Sequence, residues 1–230
     1  MKLSIAIPVY NEEKTVTSVI KKVRELHLPV KKEIIVVDDG STDKTFENIK
    51  EIKGIEIFRH KKNLGKGAAI KTALKNASGD LFIVQDADLE LDPAEISKVI
   101  APLIKGEAEV VYGSRDPKLK KIGKGDKHFL FYLGGIIVTL ITNLFYGTKL
   151  TDEPCGYKAF KTSILRSIEI EENRFGWEPE VTAKISKKKI KIYEVIIEAK
   201  SCRSVKEGKK LRAVDGLEAI WLLIKYKFKN

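Results

Sequence analysis

The chain has 230 residues, 43% of them hydrophobic, which suits one domain with a sizeable core and excludes bulk disorder. Its two cysteines exclude a disulfide framework. The formal net charge of +11 is uneven, with 19 Lys+Arg against 18 Asp+Glu in residues 1–115 but 24 against 14 in residues 116–230, so the second half should meet nucleic acid, a membrane surface or a phosphorylated acceptor.

Residues 3–9 form a short apolar run that predicts a buried strand; interrupted by Pro8, it is too short for a secretory signal. With Cys155 and Cys202 expected as free thiols, a cytoplasmic setting is expected. A helix is predicted from Glu12 to Leu26, capped by Asn11. Strands are predicted at 33–37, 55–58, 80–84 and 109–113. Helices are predicted from Thr42 or Asp43 to Lys50, at 65–76, and at 93–104 with Asp92 as cap and Pro93 in the first turn. This alternation implies a mostly parallel sheet covered on both faces.

The second half is less regular. Residues 118–127 form a basic loop rich in lysine. Residues 129–148 carry no charge and could span a bilayer, but Gly134, Gly135, Thr139, Thr142, Asn143 and flanking lysines favour a helix lying on or dipping into a membrane face, with an ordinary buried core helix as the other alternative. Residues 157–200 read as mixed strand and helix. Residues 216–227 read as a helix with Leu217, Ile220, Trp221 and Ile224 on one face. No clean linker appears, so one domain is expected over residues 1–230.

In a parallel sheet, ligands bind beyond the carboxyl ends of the strands. Pro8, Tyr10, Asn11 and Glu12 follow the first strand, Asp38 and Asp39 the second, Asp86 and Asp88 the fourth, and Arg115 the fifth. Carboxylates gathered at one edge repel each other unless a cation joins them. On an extended segment, Asp86 and Asp88 point the same way, about 7 Å apart, and Glu90 continues the alternation. Hard oxygens in that pattern suit Mg2+ or Mn2+, which would also hold substrate phosphates. Asp38 and Asp39 read either as turn residues or as contacts to a ribose or base. The segment Asn63-Leu64-Gly65-Lys66-Gly67 reads either as a turn or as a close backbone approach to a donor. It is not a Walker A loop, and no G-x-G-x-x-G follows the first strand, which disfavours a dinucleotide dehydrogenase.

The segments IPVYNEE, VVDDGSTD, NLGKGAAI, QDADLE and VYGSR, in this order and spacing, resemble family 2 glycosyltransferases of GT-A fold. TDEPCGYKAF, RFGWEPEVTAK and RSVKEGKK resemble the dolichol-phosphate mannose and glucose synthase branch and its polyprenyl-phosphate relatives. The resemblance covers about residues 1–215. It implies an α/β fold with a Rossmann-like, mostly parallel sheet flanked by helices and a C-terminal elaboration on the acceptor side. Residues 1–115 become the nucleotide-sugar half and residues 116–230 the acceptor half.

The resemblance also implies roles. Pro8, Tyr10, Glu12 and Asp39 would line the nucleotide pocket, joined on the donor side by Asp38 and Lys66. Asp86 and Asp88 would bind Mg2+ or Mn2+ and the donor diphosphate, with Glu90 completing the metal shell. Arg115 would stand near an acceptor phosphate, and Arg203 would close over phosphate within a candidate lid from Ser201 to Leu211. Glu180 either matches an acidic position beside the acceptor site or is a simple helix-surface carboxylate, and Trp177 is either a sugar platform or core. Mannose synthases often carry an arginine in the loop before the uncharged helix. Here the loop offers Lys120, Lys121, Lys124, Lys127 and His128, which bind phosphate without a bidentate fork.

The expected reaction is inverting, metal-dependent transfer of a hexose from a nucleotide sugar to a polyprenyl phosphate, with GDP-mannose favoured over UDP-glucose. The enzyme would sit peripherally on the cytoplasmic face of a membrane. The alternative is a hydroxyl acceptor, which would need Asp152 or Glu180 as a base. A nucleic-acid partner is disfavoured, because no helix-turn-helix, zinc or RNP pattern appears. A nucleotidyltransferase would usually open with a Gly-rich loop where this chain has Pro8-Val9-Tyr10-Asn11. Oligomeric state is not legible.

Overall fold

The computed structural model of the chain describes residues 1–115, 129–198, 210 and 213–229. The basic loop at 118–127, His128, Cys202, Arg203 and most of the candidate lid lie outside the described residues.

Seven strands form a single sheet: β1 (Lys2–Val9), β2 (Lys31–Asp38), β3 (Glu56–Arg59), β4 (Leu81–Val84), β5 (Val110–Arg115), β6 (Lys158–Lys161) and β7 (Ile192–Ile197). Their order is β3-β2-β1-β4-β6-β5-β7. All neighbours are parallel except β6, which runs antiparallel to both β4 and β5.

The central strands are apolar on both faces because helices cover both. Leu3, Ile5, Ile7 and Val9 of β1 point to one side, where they pack with α1 (Val16–Glu25) and α4 (Ile96–Ile104). Ala6, Ile35, Val37, Phe82 and Val84 point to the other, against α3 (Lys66–Asn76) and α7 (Trp177–Lys187). Each fully buried aliphatic side chain of this kind stabilises by about 1.5–3 kcal/mol relative to exposure. The remaining helices are α2 (Thr45–Ile49), α5 (Phe129–Tyr146), α6 (Thr162–Arg166) and α8 (Ala213–Phe228).

Three local expectations change. Helix α1 starts at Val16, and Asn11 does not cap it. Asn11 instead adopts φ +50° and its side-chain oxygen accepts from the Thr42 N–H at 2.8 Å. Asparagine tolerates that left-handed backbone better than most residues. Residues 93–104 form a 3-10 turn at Pro93–Glu95 and then α4, with Asp92 capping through the Ala94 N–H as expected. On α8, Leu217, Trp221 and Ile224 face solvent, while Leu222, Leu223 and Tyr226 pack inward. Among the described residues, no helix is long and apolar enough to cross a membrane.

Candidate active site

The carboxyl ends of β1, β2, β4 and β5 open on the same edge of the sheet, joined there by the chain entering β6. After β1, the Glu12 N–H donates to Thr45 Oγ1 at 2.8 Å, and Thr15 Oγ1 donates to Glu12 Oε2 at 2.8 Å. Lys210 reaches Glu12 Oε1 at 2.5 Å, and its ammonium lies 5.9 Å from the Tyr10 ring centroid. This contact brings the end of the candidate lid onto the expected nucleotide pocket. Pro8 and Tyr10 are half-buried beside it.

After β2, both aspartates are buried. Asp38 Oδ1 accepts from the Ser41 N–H at 3.0 Å, and Arg59 Nε stands 3.0 Å from Oδ2. Asp39 accepts from the Leu64 and Gly65 amides at 3.0 and 2.7 Å and meets His60 Nδ1 at 2.6 Å. Asp39 therefore pins the Gly65 turn, a role that spacing alone does not reveal. The two glycines make room for another part of the chain. A Cβ at Gly65, where φ is +109°, would lie 2.3 Å from the Asn173 carbonyl oxygen, and one at Gly67 would lie 2.4 Å from that of Glu172. They admit the backbone of residues 172–174, where the Arg174 and Asn173 carbonyls accept from the Gly67 and Ala68 amides of α3.

That packing fixes Lys66. Its ammonium lies 2.7 Å from Asp86 Oδ1 and 3.0 Å from Glu178 Oε1, on the first turn of α7. Burial alone would favour the neutral amine, but Asp86 and Glu178 outweigh it and hold Lys66 protonated, above the ordinary lysine range. Glu178 is a site residue that sequence reasoning missed, because nothing in its spacing links it to Asp86.

Asp88 lies in a turn that begins at Ala87, directly after Asp86, rather than on an extended segment. Leu89 has φ +62°, and the Glu90 N–H folds back onto Asp88 Oδ1 at 3.0 Å. The alternation expected to bring Glu90 to the same side is thereby broken. Among the described residues, no cluster of three or more acidic, His or Cys side chains is gathered around a common metal position. The donor set of Asp86 and Asp88 nevertheless suits an oxygen-coordinated cation. Gly156 leaves room for the Asp86 carboxylate, since a Cβ there would lie 2.3 Å from Oδ2, and Oδ1 already attracts an ammonium.

After β5, Arg115 and Asp152 form a bidentate pair. Arg115 Nε donates to Asp152 Oδ2 and Nη2 to Oδ1, both at 2.6 Å, and the Arg115 N–H adds a third bond at 3.0 Å. Beneath it, Lys158 is fully buried. It donates to the Glu153 carbonyl at 2.7 Å, lies 3.6 Å from Glu153 Oε1, and sits 3.7 Å from the Tyr112 ring centroid. Burial pushes Glu153 up from the carboxylate range, while for Lys158 the nearby Glu153 and Tyr112 outweigh burial and keep it charged. Thr182 Oγ1 and Thr139 Oγ1 complete the bonds to Glu153. This network holds the segment that carries Asp152 and Gly156.

Glu180 stands apart from this edge chemistry. It is fully buried, and its oxygens accept from the Glu171 and Glu172 amides and from Lys184 at 2.7–2.9 Å. The expected acceptor-side acid is thus a brace for the segment that packs on Gly65 and Gly67. Trp177 is also fully buried, in the core rather than on a sugar-facing surface.

The sequence profile described as Glycosyl transferase family 2 matches residues 4–169. The chain belongs to that family. The dolichol-phosphate mannosyltransferase of Pyrococcus furiosus is 30% identical over 85% of this chain and 55% of its own length. The dodecaprenyl-phosphate galacturonate synthase of Rhizobium johnstonii is 30% identical over 76% and 53%. The chain thus spans about half the length of these two curated relatives. A UDP-N-acetylglucosamine–dolichyl-phosphate N-acetylglucosaminyltransferase from Methanococcus voltae is 32% identical over 84% of this chain and 83% of its own.

Among solved structures, Mycobacterium tuberculosis glucosyl-3-phosphoglycerate synthase with Mn2+, UDP and phosphoglyceric acid superposes with a TM-score of 0.78. The identity is 22%, and 100% of this chain and 79% of that chain are covered. A complex of the same protein with Mg2+ and UDP gives 0.76 over 98% and 79%, at 22% identity. The fold of this family 2 member is therefore the expected GT-A fold.

Proposed function

We propose that this family 2 member transfers a hexose, with inversion, from a nucleotide sugar to a polyprenyl phosphate, GDP-mannose being the favoured donor and UDP-glucose the next. The observation that carries the acceptor is the Arg115–Asp152 fork. A hydroxyl acceptor needs a base. Asp152, the carboxylate nearest that role, has both oxygens engaged by a guanidinium, the positions a base would use to accept a proton. The other candidate, Glu180, is sealed in the core. A phosphate nucleophile needs no base, but it needs positive charge to approach an anionic donor, and Arg115 supplies it at that edge.

In the transfer, an acceptor phosphate oxygen forms a bond to the anomeric carbon from the face opposite the nucleotide. The bond from that carbon to the diphosphate oxygen breaks, and the nucleoside diphosphate leaves with the electron pair. A divalent cation held by Asp86 and Asp88 would neutralise charge on the departing diphosphate. Before either ligand binds, Lys66 fixes the orientation of Asp86, and Gly156 keeps space beside it. Tyr10 and Glu12, with Lys210 against them, bound the nucleotide end. The relatives named for dolichol-phosphate and dodecaprenyl-phosphate chemistry support the acceptor class.

A peripheral membrane position belongs to the same proposal. Helices α5 and α8 pack side by side, with Tyr146 Oη donating to the Leu223 carbonyl at 2.6 Å. Their outer faces expose Leu133, Ile137, Leu140 and Leu144, and Leu217, Trp221, Ile224 and Phe228. An apolar face of this extent in a strongly basic half suits an anionic lipid surface.

Incubation with radiolabelled GDP-mannose or UDP-glucose, Mn2+ and dolichyl or undecaprenyl phosphate should yield a lipid-linked hexose. Transfer only to hydroxyl acceptors would overturn the acceptor assignment.

A further inference from the structure

The ammonium of Lys66 occupies a position that charge alone would assign to a metal. It is held between Asp86 and Glu178, at 2.7 and 3.0 Å, and both partners come from separate elements. Its backbone has little freedom. Asp39 grips the preceding Gly65 amide at 2.7 Å, and the carbonyls of Asn173 and Arg174 grip the amides of Ala68 and Gly67. On the far side, α7 is anchored by the fully buried Trp177 next to Glu178. Two carboxylates and one ammonium leave this cluster one negative charge in excess.

A divalent cation approaching Asp86 therefore meets a like charge already in hydrogen-bond contact with the same carboxylate. The two repel unless Lys66 finds another anion. The diphosphate of a nucleotide is such an anion, and it would lie against the same carboxylate through the cation. We propose that Lys66 is a resident counter-ion that couples the two ligands: it weakens binding of a divalent cation alone and passes to the nucleotide diphosphate when both bind, so that each tightens the other. Lys66 acts here on the bound anion itself, and Glu178 is the anchor that keeps it within reach. The inference rests on the reading of Asp86 and Asp88 as cation ligands.

Coupling of this kind is reciprocal, so the factor by which nucleotide tightens the cation equals the factor by which the cation tightens nucleotide. It can be measured without turnover, from the EPR signal of free Mn2+ titrated with the full chain, with and without GDP or UDP. The wild type should bind Mn2+ at least about tenfold more tightly when nucleotide is present. Lys66→Gln keeps a hydrogen-bonding side chain and removes the charge. It should bind Mn2+ alone about tenfold more tightly than wild type and lose most of the coupling.

If that variant does not fold, judged by circular dichroism, Lys66→Gln/Glu178→Gln removes the charge together with one unpaired carboxylate. It should show the same loss of coupling. Unchanged Mn2+ affinity and unchanged coupling in a folded Lys66 variant would overturn the inference while leaving the metal reading intact. Absence of Mn2+ binding by the wild type with either nucleotide would instead sink the metal reading, and this inference with it.

Discussion

Arg115 and Asp152 grip each other through two parallel bonds of 2.6 Å, and the Arg115 amide closes a third at 3.0 Å. One is the last residue of β5 and the other lies on the segment leading into β6, so the pair ties together two strands that run in opposite directions. A planar guanidinium can bind such a carboxylate and still present further N–H groups outward.

Lysine cannot reproduce that fork. Arg115→Lys is expected to raise KM for polyprenyl phosphate about tenfold, the scale of a lost charged hydrogen bond, with the Kd for nucleotide unchanged. Asp152→Asn should lower kcat by about tenfold through loss of Arg115 orientation. A drop of a thousandfold or more, with KM unchanged, would mean that Asp152 is the base of a hydroxyl transfer. Steady-state kinetics on both variants decide this.

Gly156 is where the fold yields to the site. Gly156→Ala places a Cβ within 2.3 Å of Asp86 Oδ2, in a segment fixed by the Glu153 network. Asp86 must rotate away, so nucleotide binding in the presence of Mn2+ should weaken at least about tenfold, the effect of displacing a precise contact. Thermal stability should fall only modestly. Calorimetric titration with GDP and a melting curve check the two halves.

The buried Lys158–Glu153 pair predicts a reversal. Lys158→Met leaves Glu153 without its cation and should cost about 3–5 kcal/mol. Adding Glu153→Gln removes the orphaned charge and should recover much of that loss. Urea denaturation of both variants measures it. A double variant no more stable than Lys158→Met would show that the pair is held by packing alone.

Glu33 governs part of the acid limb. Its partial burial alone would raise the carboxyl, but bonds from Lys2, Ser4 and Ser78 outweigh burial and hold it at about 2, below its ordinary 4.5. A depressed folded value stabilises the native state fully above the unfolded value and loses that contribution as pH falls toward about 2. Glu33→Gln should therefore lower stability by about 2 kcal/mol at pH 7. Its deficit against wild type should shrink steadily below pH 4.5, measured by denaturant titration across the range.

The outer face of α5 and α8 predicts lipid binding. Trp221→Asp with Leu217→Asp changes exposed positions and should leave the melting temperature near wild type. Sedimentation with vesicles containing anionic lipid should drop several-fold. Equal sedimentation of variant and wild type would remove this face from consideration.

The sheet was legible because its strands are β-branched runs bounded by acidic and glycine turn residues, so every expected strand of the first half appears within two residues. What was not legible depends on contacts distant in sequence. Gly65 and Gly67 read either as a turn or as room for a donor, because glycine reports close approach without saying of what; in the fold, residues 172–174 approach them. Glu178 gained its place only when α7 packed beside α3. Glu90 was assigned by strand periodicity, and the positive φ of Leu89 is invisible to that count. On α8 the apolar periodicity was read correctly, but such a pattern cannot say which of two apolar sides faces the core.

The reversed direction of β6 has a consequence of its own. Every neighbouring strand reaches the ligand edge as the chain leaves it, whereas β6 reaches that edge as the chain arrives. The residues before it, Asp152 to Gly156, therefore belong to none of the turns that follow β1, β2 or β4, and they press on Asp86 across the gap that Gly156 leaves. One short stretch thus touches Arg115 through Asp152 and Asp86 through Gly156, so a change in it is felt at both ends of the edge.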